Sequence, residues 1–105
     1  MSPKKASAAA SAVTIDEAIE DCVLTRRDFY LGLWAGRKLG LSDAALQAYA
    51  RSIVEADYQA PGSEALIQKL ERDFAARACV VTREEIEREL HRLEADANRQ
   101  FMVSD

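Results

Sequence analysis

Residues 14–40 read TIDEAIEDCVLTRRDFYLGLWAGRKLG, and the fold follows from how this stretch starts, what it repeats and how it stops. Thr14-Ile15-Asp16-Glu17 has the pattern of a capping box. The Thr14 hydroxyl can accept from the amide three residues on, and Glu17 can reach back. Asp16 and Glu17 also suit the positive end of a helix dipole. Nothing then stops the helix before Leu39, where Gly40 offers the left-handed position after a helix end and Arg37 and Lys38 sit in the last turn. Ile15, Ile19, Cys22, Phe29 and Leu33 form a stripe at helical spacing, interrupted by Arg26. From Phe29 to Ala35 the helix is apolar on nearly every side, the pattern of a helix buried by several neighbours. Gly32 and Gly36 lie one turn apart. Each glycine costs ~1 kcal/mol of helix propensity, a cost that close approach of a second helix would offset.

Three more helices follow. The spacing predicts one over 43–58, where Leu46, Ala50, Ile53 and Val54 share a face flanked by Tyr49 and Tyr58, with Ser42 as its cap. Pro61-Gly62 breaks it. A helix over 64–78 is capped by Ser63 and carries Leu66, Ile67, Leu70 and Phe74. Ala78 to Val81 has strand character but is too short and solitary for a sheet. Thr82-Arg83-Glu84-Glu85 is a second capping box and opens a helix over 83–101, with Ile86, Leu90, Leu93, Ala97 and Phe101 on its stripe. With the first helix over 15–39, the expected class is all-α: a four-helix bundle with short connections and a flexible N-terminal tail. Trp34, Leu33, Ile53, Leu70, Phe74 and Leu90 are expected in its core.

That tail, MSPKKASAAASAV, contains no acid and nothing larger than Val13 to anchor it, apart from Met1. Residues 1–13 read as a disordered tail and residues 14–105 as one helical domain. Lysines ahead of small residues invite comparison with a secretory leader, but the apolar stretch has no Leu, Ile or Phe. At 105 residues, 49% of them hydrophobic and 30% charged, the composition is that of an ordinary soluble domain. No run approaches the ~20 apolar residues of a membrane span, so no membrane insertion is expected. A net charge of −4 without a basic stripe argues against nucleic acid, whose binding rests on phosphate contacts. Cys22 and Cys79 match no metal spacing and suggest two buried thiols in a reducing, cytoplasmic setting.

The sequence carries no phosphate-loop, dinucleotide or zinc-protease motif, no nucleophile beside a base, and no sign of a cofactor. His91, with Glu87 before it and Glu94 after it, lacks the further ligands that a metal needs. No enzymatic activity is expected. The adjacent Arg26 and Arg27 can hold a phosphate or a carboxylate. Their more usual use is pairing with acids of a neighbouring helix. Taken alone, the residues describe a helical interaction module.

A resemblance goes further. Arg26-Arg27, Leu31-Gly32-Leu33-Trp34-Ala35 and Leu39-Gly40-Leu41 resemble the signature ARRNKLLGLWAAEKLGL of the zeta-subunit family, small alphaproteobacterial proteins. Ala48-Tyr49-Ala50, Ser52-Ile53-Val54, Ala56-Asp57-Tyr58 and Pro61-Gly62 are similar to its AYAKSVV and ADFEEPG, and Val81-Thr82 through Glu85-Ile86 to its VSEADI. The resemblance implies a four-helix protein that binds the catalytic head of the F-type ATP synthase, and so lies at the inner membrane only through that enzyme. It also implies an N-terminal segment that enters a catalytic interface and blocks ATP hydrolysis. The family's segment begins FDDRE and ends in a D-E-x-L region. Here only Asp16-Glu17-Ala18-Ile19 fits, and the earlier part is replaced by PKKASAAASA. Asp28, Phe29 and Arg37 also stand where the family usually has Asn, Lys and Glu. The expected partner-binding residues are therefore Asp16, Glu17, Ile19, Arg26 and Arg27, in a protein that inhibits weakly or not at all. The alternative is a divergent paralogue that binds another protein or a nucleotide, although no nucleotide motif supports the latter.

Overall fold

The structure, a computed structural model, describes residues 22–103. Four helices and no strand occur among them: α1 (Val23–Lys38), α2 (Asp43–Gln59), α3 (Ser63–Ala76) and α4 (Arg83–Val103). The capping box at Thr14, the candidate residues Asp16, Glu17 and Ile19, and the tail 1–13 lie outside the described residues.

The expected helix over 15–39 does not run through Cys22, which is extended (φ −108°, ψ 120°) and makes no side-chain cap. No Pro or Gly marks this boundary. The first turn holds two β-branched residues, Val23 and Thr25, which weaken helix propensity. Thr25 is fixed by a 2.9 Å hydrogen bond between its Oγ1 and Tyr58 Oη of α2.

The other end of α1 closes as expected. Gly40 takes φ 86°, the Leu41 amide donates to the Gly36 carbonyl (2.9 Å), and the Gly40 amide donates to that of Arg37 (3.0 Å). This double closure is a Schellman motif. The Thr82 capping box also forms: the Thr82 amide donates to Glu85 Oε1 (2.9 Å) and the Glu85 amide to Thr82 Oγ1 (3.1 Å). The other two expected caps do not. Ser42 stands at the start of α2 without a capping hydrogen bond, and Ser63 is already helical, with Gly62 taking the cap position.

α1 and α2 form an antiparallel hairpin whose register is set by small residues. A methyl built on Gly32 would stand 2.6 Å from Ala50 Cα, and one on Gly36 2.6 Å from Leu46 Cδ1. Phe29 packs beside Ala50 and Val54 on the same seam, with Leu33 at its margin. α3 and α4 close the bundle. Leu31, Ala35, Ile53, Leu66, Ile67, Leu70, Phe74, Ile86, Leu90 and Leu93 form the main core, so every helix contributes. Trp34 and Leu33, expected inside, are only half-buried. The Trp34 ring meets Phe74 edge-on at 6.1 Å, with Lys38 Nζ 5.4 Å from its centroid. Neither cysteine is fully buried: Cys22 is exposed, and Cys79 Sγ donates to the Lys38 carbonyl at 3.3 Å. No helix is long and apolar enough to cross a membrane among the described residues.

Candidate partner-binding end of the bundle

The start of α1, the end of α2 and the second half of α4 come together at one end of the bundle, and most of the unusual chemistry is there. Arg27 and Asp28 fall on the buried side of α1, together with Thr25, Phe29, Leu31 and Gly32. Asp28 lies one turn before Gly32, which places it on the α1–α2 seam.

Arg27 is 9% exposed and Asp28 1%. The guanidinium donates from Nε and Nη2 to Asp28 Oδ1 (3.0 and 2.7 Å) and from Nη1 to Glu94 Oε2 of α4 (3.0 Å). Its Nη2 also lies 3.7 Å from Asp57 Oδ2 of α2. Asp57 in turn accepts from the Gly62 amide at 3.3 Å, in the loop leading to α3. One cation thus joins three helices through three carboxylates. Burial, and then the neighbouring Asp57 carboxyl, push the Asp28 carboxyl up to about 7, although Arg27 pulls the other way.

Around this cluster the surface is apolar and aromatic. Leu24, Tyr30 and Tyr58 are exposed. Val23, Arg26, Tyr30, Leu93, Asp96 and Ala97 border a small groove of about 60 Å³, with Arg27 at its floor. Arg26 is half-buried along this groove.

The two arginines are therefore separated by the fold. Arg26 borders the surface, whereas Arg27 is an internal tie whose guanidinium is occupied by three acids. Pairing with neighbouring acids was the more usual reading, and Arg27 follows it in a buried rather than a surface setting. Sequence reasoning did not find Asp28, Asp57 and Glu94 as a group. The available signal was the position of Asp28, a carboxylate four residues before a packing glycine.

A second cleft of about 450 Å³ lies farther along α1 and α4, lined by Trp34, Lys38, Glu85, Arg88, Glu89 and Arg92. Within it Arg92 pairs with Glu89, and also with Asp96 one turn along α4. His91 is exposed and borders a groove with Glu87, Glu94 and Arg83. No group of three side chains that could hold a metal ion occurs among the described residues. The bundle end presents exposed aromatic and aliphatic groups beside a buried ionic tie.

A family model described as ATPase inhibitor subunit zeta matches residues 4–100. The match covers α1 to α3 and all but the last turn of α4, and begins within the Lys/Ala/Ser stretch. No curated protein and no solved structure matches the chain.

Proposed function

Because the chain belongs to the ATPase inhibitor subunit zeta family, we propose that it is a regulatory protein without catalytic activity of its own, and that it binds the catalytic head of the F-type ATP synthase. The observation that carries this reading is the family match over residues 4–100. The protein acts in the cytoplasm and reaches the inner membrane only through the enzyme.

The attachment face is the bundle end. Leu24, Tyr30 and Tyr58 are exposed there, and Arg26 borders the same surface. Asp16, Glu17 and Ile19 add contacts from the segment before Cys22. Arg27 serves the interface by holding α1, α2 and α4 in register.

Inhibition is weak. An inhibitory helix works by laying an amphipathic face into a groove, and MSPKKASAAASAV has neither aromatic nor acidic anchors. Ordering it costs ~1–2 kcal/mol per residue of backbone entropy. Small side chains return little at ~25 cal/mol per Å² buried.

Two assays test this reading: capture of the detergent-solubilised ATP synthase on the immobilised full chain, and ATPase rate against added protein. The second is repeated with a chimera carrying FDDRE ahead of Asp16. Capture with little inhibition, and a gain in the chimera, is the expected result. Strong inhibition by the native chain would overturn weak inhibition, and no capture would overturn the partner.

A further inference from the structure

Among the described residues, the cluster at the bundle end sets three carboxylates around one guanidinium. Arg27 carries one positive charge. Facing it are Asp28 on its own helix, Asp57 from α2 and Glu94 from α4. From the loop leading to α3, the uncharged Gly62 amide donates to Asp57. Glu94 is the most solvated of the three acids at 38% exposed, against 17% for Asp57 and 1% for Asp28. Water therefore reaches Glu94 more readily than the other two. Asp28 and Asp57 are less solvated, and both lie against the same Nη2. Two carboxylates in one poorly solvated site resist ionising together.

We propose that Asp28 and Asp57 share one proton across the α1–α2 seam, and that losing it loosens this end of the bundle, which makes it a pH-responsive clasp. In the protonated state one carboxyl donates to the other, and Arg27 faces the remaining charge. When the proton leaves, two neighbouring anions repel across the seam while α4 stays tied through Glu94. One turn along the seam from Asp28, Gly32 and Ala50 bring the two backbones into contact, which leaves little slack there to absorb the change. Thr25 and Tyr58, the last link between α1 and α2 at this end, open with it. The inference concerns the isolated chain and does not depend on the ATP synthase as partner.

The sign follows from linkage. In the folded chain Asp28 holds its proton up to about 7, against 3.8 for an ordinary aspartate. Between those values the folded state binds the extra proton, so the contribution of this group to stability falls as pH rises and levels off above neutrality. The slope corresponds to as much as about tenfold in the folding constant per pH unit. This runs opposite to the usual paired carboxylate.

The test uses the full chain. The side-chain carboxyl carbons of Asp28 and Asp57 are followed by NMR from pH 3 to 9, and unfolding midpoints are measured over the same range. The expected result is one proton leaving the pair near neutrality. The stability of the wild type relative to Asp28→Asn should fall from pH 5 to 6.5 and flatten above 7.5. Protection factors of the α1 amides from Arg27 to Phe29, corrected for intrinsic exchange, should drop several-fold between pH 6 and 8 in the wild type only. Asp57→Asn removes the like charge while leaving Asp28 in place, and should move the Asp28 titration down. Titration of both aspartates near 4 would overturn the proposal, as would an Asp28→Asn variant with the same pH slope as the wild type. The NMR titration needs no variant, so a misfolded mutant leaves the proposal testable.

Discussion

The α1–α2 seam and the α3–α4 pairing are both helix contacts, but they are built from opposite materials. At the first, Gly32 lies against Ala50 so closely that an added methyl would sit 2.6 Å from a backbone atom. At the second, Leu66, Ile67, Leu70 and Phe74 meet Ile86, Leu90 and Leu93, all of them buried. The second pairing is also bridged on its surface by Arg83, which contacts Glu64 and Glu71 of α3. One contact is held by the absence of side chains and the other by their bulk. The first is therefore broken by adding atoms and the second by removing them.

The largest effect belongs to removal. Phe74 is fully enclosed, and its ring also supports Trp34. Phe74→Ala should cost ~3–5 kcal/mol, the range for deleting a buried aromatic ring. A domain of this size has only ~5–10 kcal/mol in total. Urea denaturation should show a variant close to its unfolding threshold. A midpoint near that of the wild type would mean that the bulk of α3 does not hold the bundle. Trp34 is the wrong residue for this test, because it is only half-buried and part of its ring faces Lys38 and solvent.

Adding atoms to the glycine seam gives an intermediate effect and an internal control. Gly32→Ala drives a methyl at the Ala50 backbone, and backbone has no rotamer with which to retreat. Overpacking of this kind costs ~1–3 kcal/mol, less the ~1 kcal/mol by which alanine is the better helix former. Gly36→Ala meets the Leu46 Cδ1 atom at 2.6 Å and the Tyr49 ring at 3.2 Å. Leu46 can rotate, so the helix-propensity gain should leave this variant within ~1 kcal/mol of wild type. Thermal midpoints of the pair decide whether the seam is limited by backbone. Equal losses at both glycines would show that it is not.

These contrasts also mark what the sequence made legible. The spacing of Gly32 and Gly36 predicts close approach of a second helix, and Ala50 and Leu46 provide it. The string Thr82 to Glu85 predicts a reciprocal cap, and both of its hydrogen bonds form. Such signals are local: a few neighbouring residues contain all the physics. The break at Cys22 is different, because no residue there opposes helix strongly. The contact that anchors the start of α1, between Thr25 and Tyr58, spans 33 positions. The acid cluster was hidden for the same reason. Asp28, Asp57 and Glu94 are unremarkable where they stand in the sequence, and only the packing of three helices puts them around one guanidinium. Arg26 and Arg27 differ in setting because neighbours on a helix point about 100° apart, so one borders a groove while the other is enclosed.

The smallest effect compares two helix ends that share one device. α1 closes with Gly40 in the left-handed region at φ 86°, and α3 closes with Ala78 at φ 53°. The hydrogen bonds are the same at both. At α3 the Cys79 amide donates to the Phe74 carbonyl (2.8 Å) and the Ala78 amide to that of Ala75 (3.1 Å), matching the Leu41 and Gly40 bonds of α1. What differs is the methyl group of Ala78, which the left-handed conformation crowds against its own backbone at a cost of ~1–2 kcal/mol. Glycine avoids that crowding but gives back ~0.5–1 kcal/mol, because it leaves the unfolded chain freer. Ala78→Gly should therefore stabilise the protein by ~0.5–1 kcal/mol, a rise of a few degrees in the thermal midpoint for a domain this small. Gly40→Ala should destabilise by a similar amount. Nothing lies within 4 Å of a methyl built on Gly40, so its cost is conformational and not steric contact with a neighbour. Calorimetry on the two single variants and the double variant checks the symmetry, and the double variant should return close to wild type. If Ala78→Gly lowers the midpoint instead, the α3 end is held by contacts of the alanine methyl, and the likeness of the two ends stops at their hydrogen bonds.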